Sequence, residues 1–150
     1  MPSPSDFPTR GKVTAVQDGQ VTFIPRDTTY EMFLKTAKPY TGPVNAPVDA
    51  LIRLSARKVY TVPSGGNFIT PIFGPPKIVQ GRVRYLDERL LVVQAGAKVI
   101  VELPGGDSAI DLGNGAITIN TMVNVVALPG AMFELVASGE ELQASIKSLR

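Results

Sequence analysis

Between Gly11 and Val136 the apolar residues come in short runs that alternate with polar ones, and glycine, proline or an Asx-Gly pair breaks each run. A period of two is the pattern of strands with one face buried. Lys12–Val16 and Gln20–Ile24 read as two strands around Gln17-Asp18-Gly19. Asp-Gly suits a tight hairpin, because glycine tolerates the positive φ that such turns need. A third strand is predicted over Thr29–Leu34, and residues 38–48, with three prolines, form a loop. The runs at 48–54 and 56–62 read as two further strands. Pro71 interrupts the run 68–73 and lacks an amide donor, so that strand belongs at an edge or carries a bulge. Residues 77–86 form the longest strand candidate, where Gly81 predicts a bend or bulge.

The same plan then recurs. GKVTAVQDGQVTF at 11–23 and GRVRYLDERLLVV at 81–93 match Gly11 to Gly81, Lys12 to Arg82 and Val13 to Val83. Strands are predicted over Arg82–Leu86, Leu90–Gln94, Lys98–Leu103, Ala116–Asn120, Met122–Leu128 and Ala131–Val136. Pro104-Gly105-Gly106, Asn114-Gly115 and Pro129-Gly130 supply the breaks. An internal duplication explains the echo. Two amphipathic hairpins of independent origin would also look alike.

Residues 138–150 change period. Ser138 and Glu141 have capping-box spacing, and Leu142, Ile146 and Leu149 fall on one helical face. A short amphipathic C-terminal helix follows, whose apolar face either packs on its own domain or meets a partner. The expected fold is all-β, with two similar small barrel-like halves of the OB or SH3 kind, or one β-sandwich built from both. The expected division is a flexible Pro-rich arm over 1–10, β units over 11–76 and 77–137, and the helix over 138–150.

Composition narrows the chemistry. The chain has neither cysteine nor histidine, so disulfides, thiolate metal sites and imidazole acid–base chemistry are unavailable to it. No run is long enough to span a membrane as a helix, and the opening MPSPSDFPTR has no apolar core like a signal peptide's. The chain therefore reads as cytoplasmic and without a membrane partner. Formal net charge is +2; residues 1–75 hold eight Lys/Arg against five Asp/Glu, and residues 76–150 hold seven against eight. A dedicated nucleic-acid binder carries a larger basic excess.

Catalytic patterns fail on inspection. Ser55-Ala56-Arg57-Lys58 has the S-x-x-K spacing, but that spacing needs a helix and its flanks read as strand. Glu102, Asp107 and Asp111 could supply paired carboxylates, yet acids beside glycine-rich turns are usually solvated turn residues. Ser64-Gly65-Gly66 and Pro104-Gly105-Gly106 lack the spacing of a phosphate loop. A non-enzymatic protein without a cofactor is expected.

Two binding surfaces remain. Arg57, Lys58, Tyr60 and Phe68 with Lys77, Arg82, Arg84 and Tyr85 interleave cations and rings, as a single-stranded nucleic acid or another polyanion requires. Phe73 could add a further ring, although Tyr60, Phe68 and Phe73 serve equally well in a core. Against this stands assembly: an Ile/Val-rich chain with many edge strands, a proline-rich arm and an amphipathic tail suits self-association or a protein partner. The primary expectation is a self-associating or protein-binding module, with Leu142, Ile146 and Leu149 as partner contacts. Binding of single-stranded nucleic acid or polyanion is the alternative.

Overall fold

A computed structural model describes residues 3–105, 110–111 and 115–138. After a 3-10 turn at Pro4–Asp6 come β1 (Thr9–Gln17), β2 (Gln20–Pro25), β3 (Glu31–Thr36) and β4 (Pro47–Thr61). Then follow β5 (Phe68–Thr70), β6 (Phe73–Gly74), β7 (Ile78–Leu86), β8 (Leu90–Gln94) and β9 (Lys98–Glu102). The last are β10 (Ile110–Asp111), β11 (Met122–Ala127) and β12 (Met132–Ser138). The protein is all-β, and its strands belong to one sheet that closes on itself.

The pairings close two rings. In ring 1 the order is β1-β2-β3-β12-β4 and back to β1, with β3 and β12 parallel and the other neighbours antiparallel. In ring 2 the order is β7-β8-β9-β4-β11 and back to β7, with β9 and β4 parallel and the others antiparallel. β4 is common to both. Along one side of it lie β1, beside residues 47–50, and then β9, beside residues 52–55; along the other lie β12, beside residues 48–53, and then β11, beside residues 56–61.

Sequence alternation explains how one strand serves two rings. Val48, Ala50, Ile52, Leu54 and Ala56 of β4 are all buried, as are Val59 and Thr61 beyond them. The parity changes between Ala56 and Val59 because β11 pairs Val126 with Lys58 and Ala127 with Ala56, leaving Arg57 as an extra residue. This bulge keeps the apolar face inward while the strand turns from one ring to the other. Val13, Phe23, Leu34 and Phe133 from ring 1 join Val79, Val93, Val101 and Val125 from ring 2 in one continuous core. Each such side chain contributes about 1.5–3 kcal/mol when fully buried.

The first hairpin of each ring has the same register. Val13 opposes Phe23, Ala15 opposes Thr22 and Val16 opposes Val21, with Thr14 unpaired at a bulge. Seventy positions on, Val83 opposes Val93, Tyr85 opposes Val92 and Leu86 opposes Leu91, with Arg84 unpaired. Gly11 and Gly81 have matching surroundings too. A Cβ on Gly11 would collide with the Ile24 carbonyl oxygen, and one on Gly81 with the Gln94 carbonyl oxygen. These glycines let two backbones approach closely.

Several expectations change. Residues 48–62 were expected as two strands; β4 is one strand, since nothing between Leu54 and Ala56 breaks the alternation and the exposed Ser55 stays in register. The predicted bulge at Gly81 lies instead at Arg84. Ala116–Asn120 is not a strand: the Thr121 hydroxyl accepts the Thr118 amide at 2.9 Å, the Thr121 amide donates to the Thr118 carbonyl, and Asn120 has φ 75°. Pro71 splits its run into β5 and β6. No helix among the described residues is long and apolar enough to cross a membrane. Ser138 ends β12 as strand, and the remainder of the predicted C-terminal helix, with Leu142, Ile146 and Leu149, lies outside the described residues.

The proline-rich arm is docked. Phe7 packs with Tyr85 and Leu90 over Leu51, Val92 and Ile100, a small apolar cluster on the outer side of ring 2. The Thr9 hydroxyl donates to the Lys98 carbonyl at 3.0 Å and accepts the Lys98 amide at 2.8 Å, tying β1 to the β8–β9 turn.

Gly11→Ala and Gly81→Ala should each destabilise the protein by about 2 kcal/mol through this backbone crowding; an unmoved urea midpoint in either would show that the approach relaxes without cost. Thr9→Val should cost about 1–3 kcal/mol by stranding two backbone groups of Lys98. Chemical denaturation compared with Thr9→Ser, which keeps the hydroxyl, checks this second expectation.

Candidate binding groove

The alternation Glu31-Met32-Phe33-Leu34-Lys35 puts Met32 and Leu34 in the core and leaves Phe33 and Lys35 together on the outer side of β3. Beside them, the bulge in β4 pushes out Arg57, and Lys77 stands at the entrance to β7. With Gln20, Pro75, Pro76 and the chain from Val126 to Ala131, they enclose a groove of about 670 Å³ where the two rings meet.

The groove is apolar at its floor and basic at its rim. Phe73 of β6 meets Phe33 edge-on, with ring centroids 4.8 Å apart, yet stays 60% exposed. Its neighbour Ile72 is 61% exposed, and Leu128 in the groove wall is 41% exposed. Backbone hydrogen bonds anchor the segments that carry Ile72 and Leu128. The Ile72 carbonyl accepts the Glu31 amide at 2.8 Å, and the Leu128 amide donates to the Ser55 carbonyl at 2.8 Å. Lys35, Arg57 and Lys77 line the groove without an acidic residue beside them. The ion pairs found among the described residues join Arg10 to Asp49, Arg26 to Asp27 and Arg53 to Glu134, and none of them involves a rim cation.

The structure brings together only part of the basic–aromatic set expected from sequence. Arg57 and Lys77 share the groove. Lys58 lies over the Tyr60 ring, 5.5 Å from its centroid, farther along β4. Phe68 of β5 pairs with Gln80 of β7, which faces Asn124 and, through it, Tyr60. Arg82 donates to the Asn120 carbonyl at 2.9 Å, and Arg84 donates to the Gln94 side chain. Gln94 is the residue opposite Arg82, so Arg82 and Arg84 share a face as expected, although Arg84 is the unpaired residue of a bulge. Tyr85 lies elsewhere, against Phe7, with ring centroids 6.2 Å apart. Phe33, Lys35 and Leu128 were missed by the sequence reading. Phe33 and Lys35 could have been found from their two-residue spacing, because Phe33 is an aromatic on the polar side of an alternating strand.

Buried polar groups also occur in ring 2. The Asn124 side-chain amide Nδ2 donates to Gln80 Oε1 at 3.0 Å, and Gln80 Nε2 donates to the Gly66 backbone carbonyl at 3.0 Å. Asn124 Oδ1 is buried without a partner. Of the three acids considered for catalysis, Glu102 is an exposed residue ending β9, Asp111 belongs to β10, and Asp107 lies outside the described residues. Among the described residues, no group of three or more acidic side chains is placed to hold a metal ion. Compared with protein families, curated proteins and solved structures, the chain matches none.

At the β7–β8 turn, Asp87 accepts the amides of Arg89 and Leu90 and the Tyr85 hydroxyl, each at 2.8 Å. The Arg89 amide, then the Tyr85 hydroxyl and the Leu90 amide, hold its carboxyl below the usual carboxylate range. The same hydroxyl bond, with desolvation and the Asp87 charge, pushes the Tyr85 phenol up. A lowered carboxylate pKa stabilises the fold above the unfolded-state value, and that stabilisation is lost as pH falls through the folded value. Asp87→Ala should therefore melt below wild type at neutral pH, and the gap should close in strong acid. Thermal melts over a pH series test this; a gap that persists in acid would assign the loss to packing instead.

Proposed function

We propose that the protein is a non-enzymatic protein-binding module whose recognition surface is the groove at the junction of the rings. One observation carries the reading: Phe33 and the exposed Leu128 line one groove, with the exposed Phe73 against Phe33, and Lys35, Arg57 and Lys77 line the same groove without an ion pair among the described residues. Clustered exposed apolar side chains with a polar rim are characteristic of protein contact sites.

The ring architecture supports the same choice. Ring 1 is read as an OB-like barrel, five-stranded and closed, and β2 and β3 correspond to the face that such barrels use for ligands. The shared hairpin register supports reading ring 2 as its internal repeat, with β4 serving both. Self-association by edge pairing has less to work with. The principal strands close into rings, and short strands such as β5 and β6 offer only a few residues for strand addition.

A second reading, a single-stranded nucleic acid or other polyanion in the same groove, is favoured by the charge of the rim alone. The two are separable with full-length protein. Selection from a displayed library of random peptides should enrich binders whose affinity falls at least tenfold in Phe73→Asp and Leu128→Asp. Failure to enrich any binder, or binders indifferent to both changes, would remove the protein-binding reading. The polyanion reading requires instead a steeply salt-dependent affinity for oligothymidylate. That affinity should be lost in Lys35→Glu/Arg57→Glu/Lys77→Glu and kept in Leu128→Asp.

A further inference from the structure

The molecule contains a second copy of the groove's sheet surface, and that copy is covered. In ring 1, Val21 opposes Leu34 and Phe23 opposes Met32, so the outward pairs are Thr22 with Phe33 and Gln20 with Lys35. In ring 2, Leu91 opposes Val101 and Val93 opposes Val99, so the corresponding outward pairs are Val92 with Ile100 and Leu90 with Glu102. Ile100 thus stands where Phe33 stands, and Glu102 where Lys35 stands.

What covers the ring 2 surface is a short, proline-flanked segment of the chain itself. Phe7, between Asp6 and Pro8, packs with Tyr85 and Leu90 over Val92 and Ile100, which are 0% and 1% exposed. Ring 1 receives a comparable but incomplete cover. Phe73, upstream of β7 as Phe7 is upstream of β1, meets Phe33 edge-on and remains mostly exposed, and the groove beside it stays open.

Resting on the reading of the groove as a protein-binding surface, we propose that its occupant is an extended acidic segment of a partner protein carrying an aromatic side chain. The aromatic ring lies on Phe33 and Leu128 beside Phe73, as Phe7 lies on Val92 and Ile100. The acid beside it meets Lys35, Arg57 and Lys77. Charge selects the source. The molecule's own arm carries Asp6, but it is committed to ring 2, and its removal would expose Leu51, Val92 and Ile100. The arm is therefore not free to fill ring 1, and the proposed segment belongs to a partner. An acid is matched there because Lys35 replaces Glu102, with Arg57 and Lys77 on the same rim. Opposite charges facing across a groove steer encounter and reject like-charged competitors.

The probe is a synthetic peptide of sequence PSPSDFPS, labelled with a fluorophore and titrated into full-length protein while anisotropy is read. Saturable binding is expected. Lys35→Glu/Arg57→Glu/Lys77→Glu and Leu128→Asp should each weaken it at least tenfold, as should replacing the peptide's phenylalanine with alanine or its aspartate with lysine. All the altered protein residues are exposed, and unchanged thermal melts separate lost binding from lost fold. Several results overturn the proposal. The peptide binds equally well to the groove variants, which puts it elsewhere; oligothymidylate binds the groove and the peptide does not; or light scattering finds an oligomer that Phe73→Asp disperses, which makes a second copy the occupant. If the displayed library yields groove-dependent binders that lack this aromatic–acidic pattern, the protein-binding reading stands and this inference falls. If it yields none, both fall.

Discussion

Everything in this fold depends on β4 keeping one apolar face inward across fifteen residues while its neighbours change. A strand of that length twists, and its alternation can serve two enclosures only if the second lies on the side to which the twist carries it. The extra residue at Arg57 supplies the correction. It turns Val59 and Thr61 inward after Leu54 and Ala56, and β9 and β11 replace β1 and β12 alongside. The core consequently runs without interruption from Phe23 and Phe133 to Val83 and Val125. The two enclosures share a wall and stand or fall together.

The groove is a by-product of this sharing. Where one strand passes between two closed rings, their outer surfaces meet at an angle and leave a cleft. Into it project the bulge residue Arg57, the outer side of β3 and the turn after β11. Its basic rim arises from three distant parts of the sequence, which explains why net charge gives no hint of it. A total of +2 is compatible with a local concentration of three cations, because acids such as Asp49 and Glu134 are paired elsewhere, to Arg10 and Arg53.

Local rules made much of the fold legible. The hairpins at Asp18-Gly19 and at 81–94 follow from alternation and turn chemistry, and the structure places strands there. The extent of β4 did not follow, because an uninterrupted alternating run and two abutting strands look the same until their partners are known. Ala116–Asn120 has strand-like residues but spends its hydrogen bonds on a threonine-capped turn. The candidate site was legible only in fragments. Arg57 and Lys77 were visible as cations near aromatics, whereas their convergence with Phe33 and Lys35 depends on ring closure, a long-range property that spacing along the chain does not encode. Tyr85 illustrates the converse: a ring beside arginines in sequence that the fold spends on holding Phe7.

The order of strands within the rings also bears on synthesis. A chain emerging from the ribosome has every strand of ring 2, from β4 to β11, before β12 exists, while β1, β2 and β3 precede them all. Ring 1 stays open along β3 until β12 arrives, so the ring whose strands are begun first is the later of the two to have all of them. In that interval the exposed edge of β3 is a nascent-chain hazard of the kind that chaperones shield.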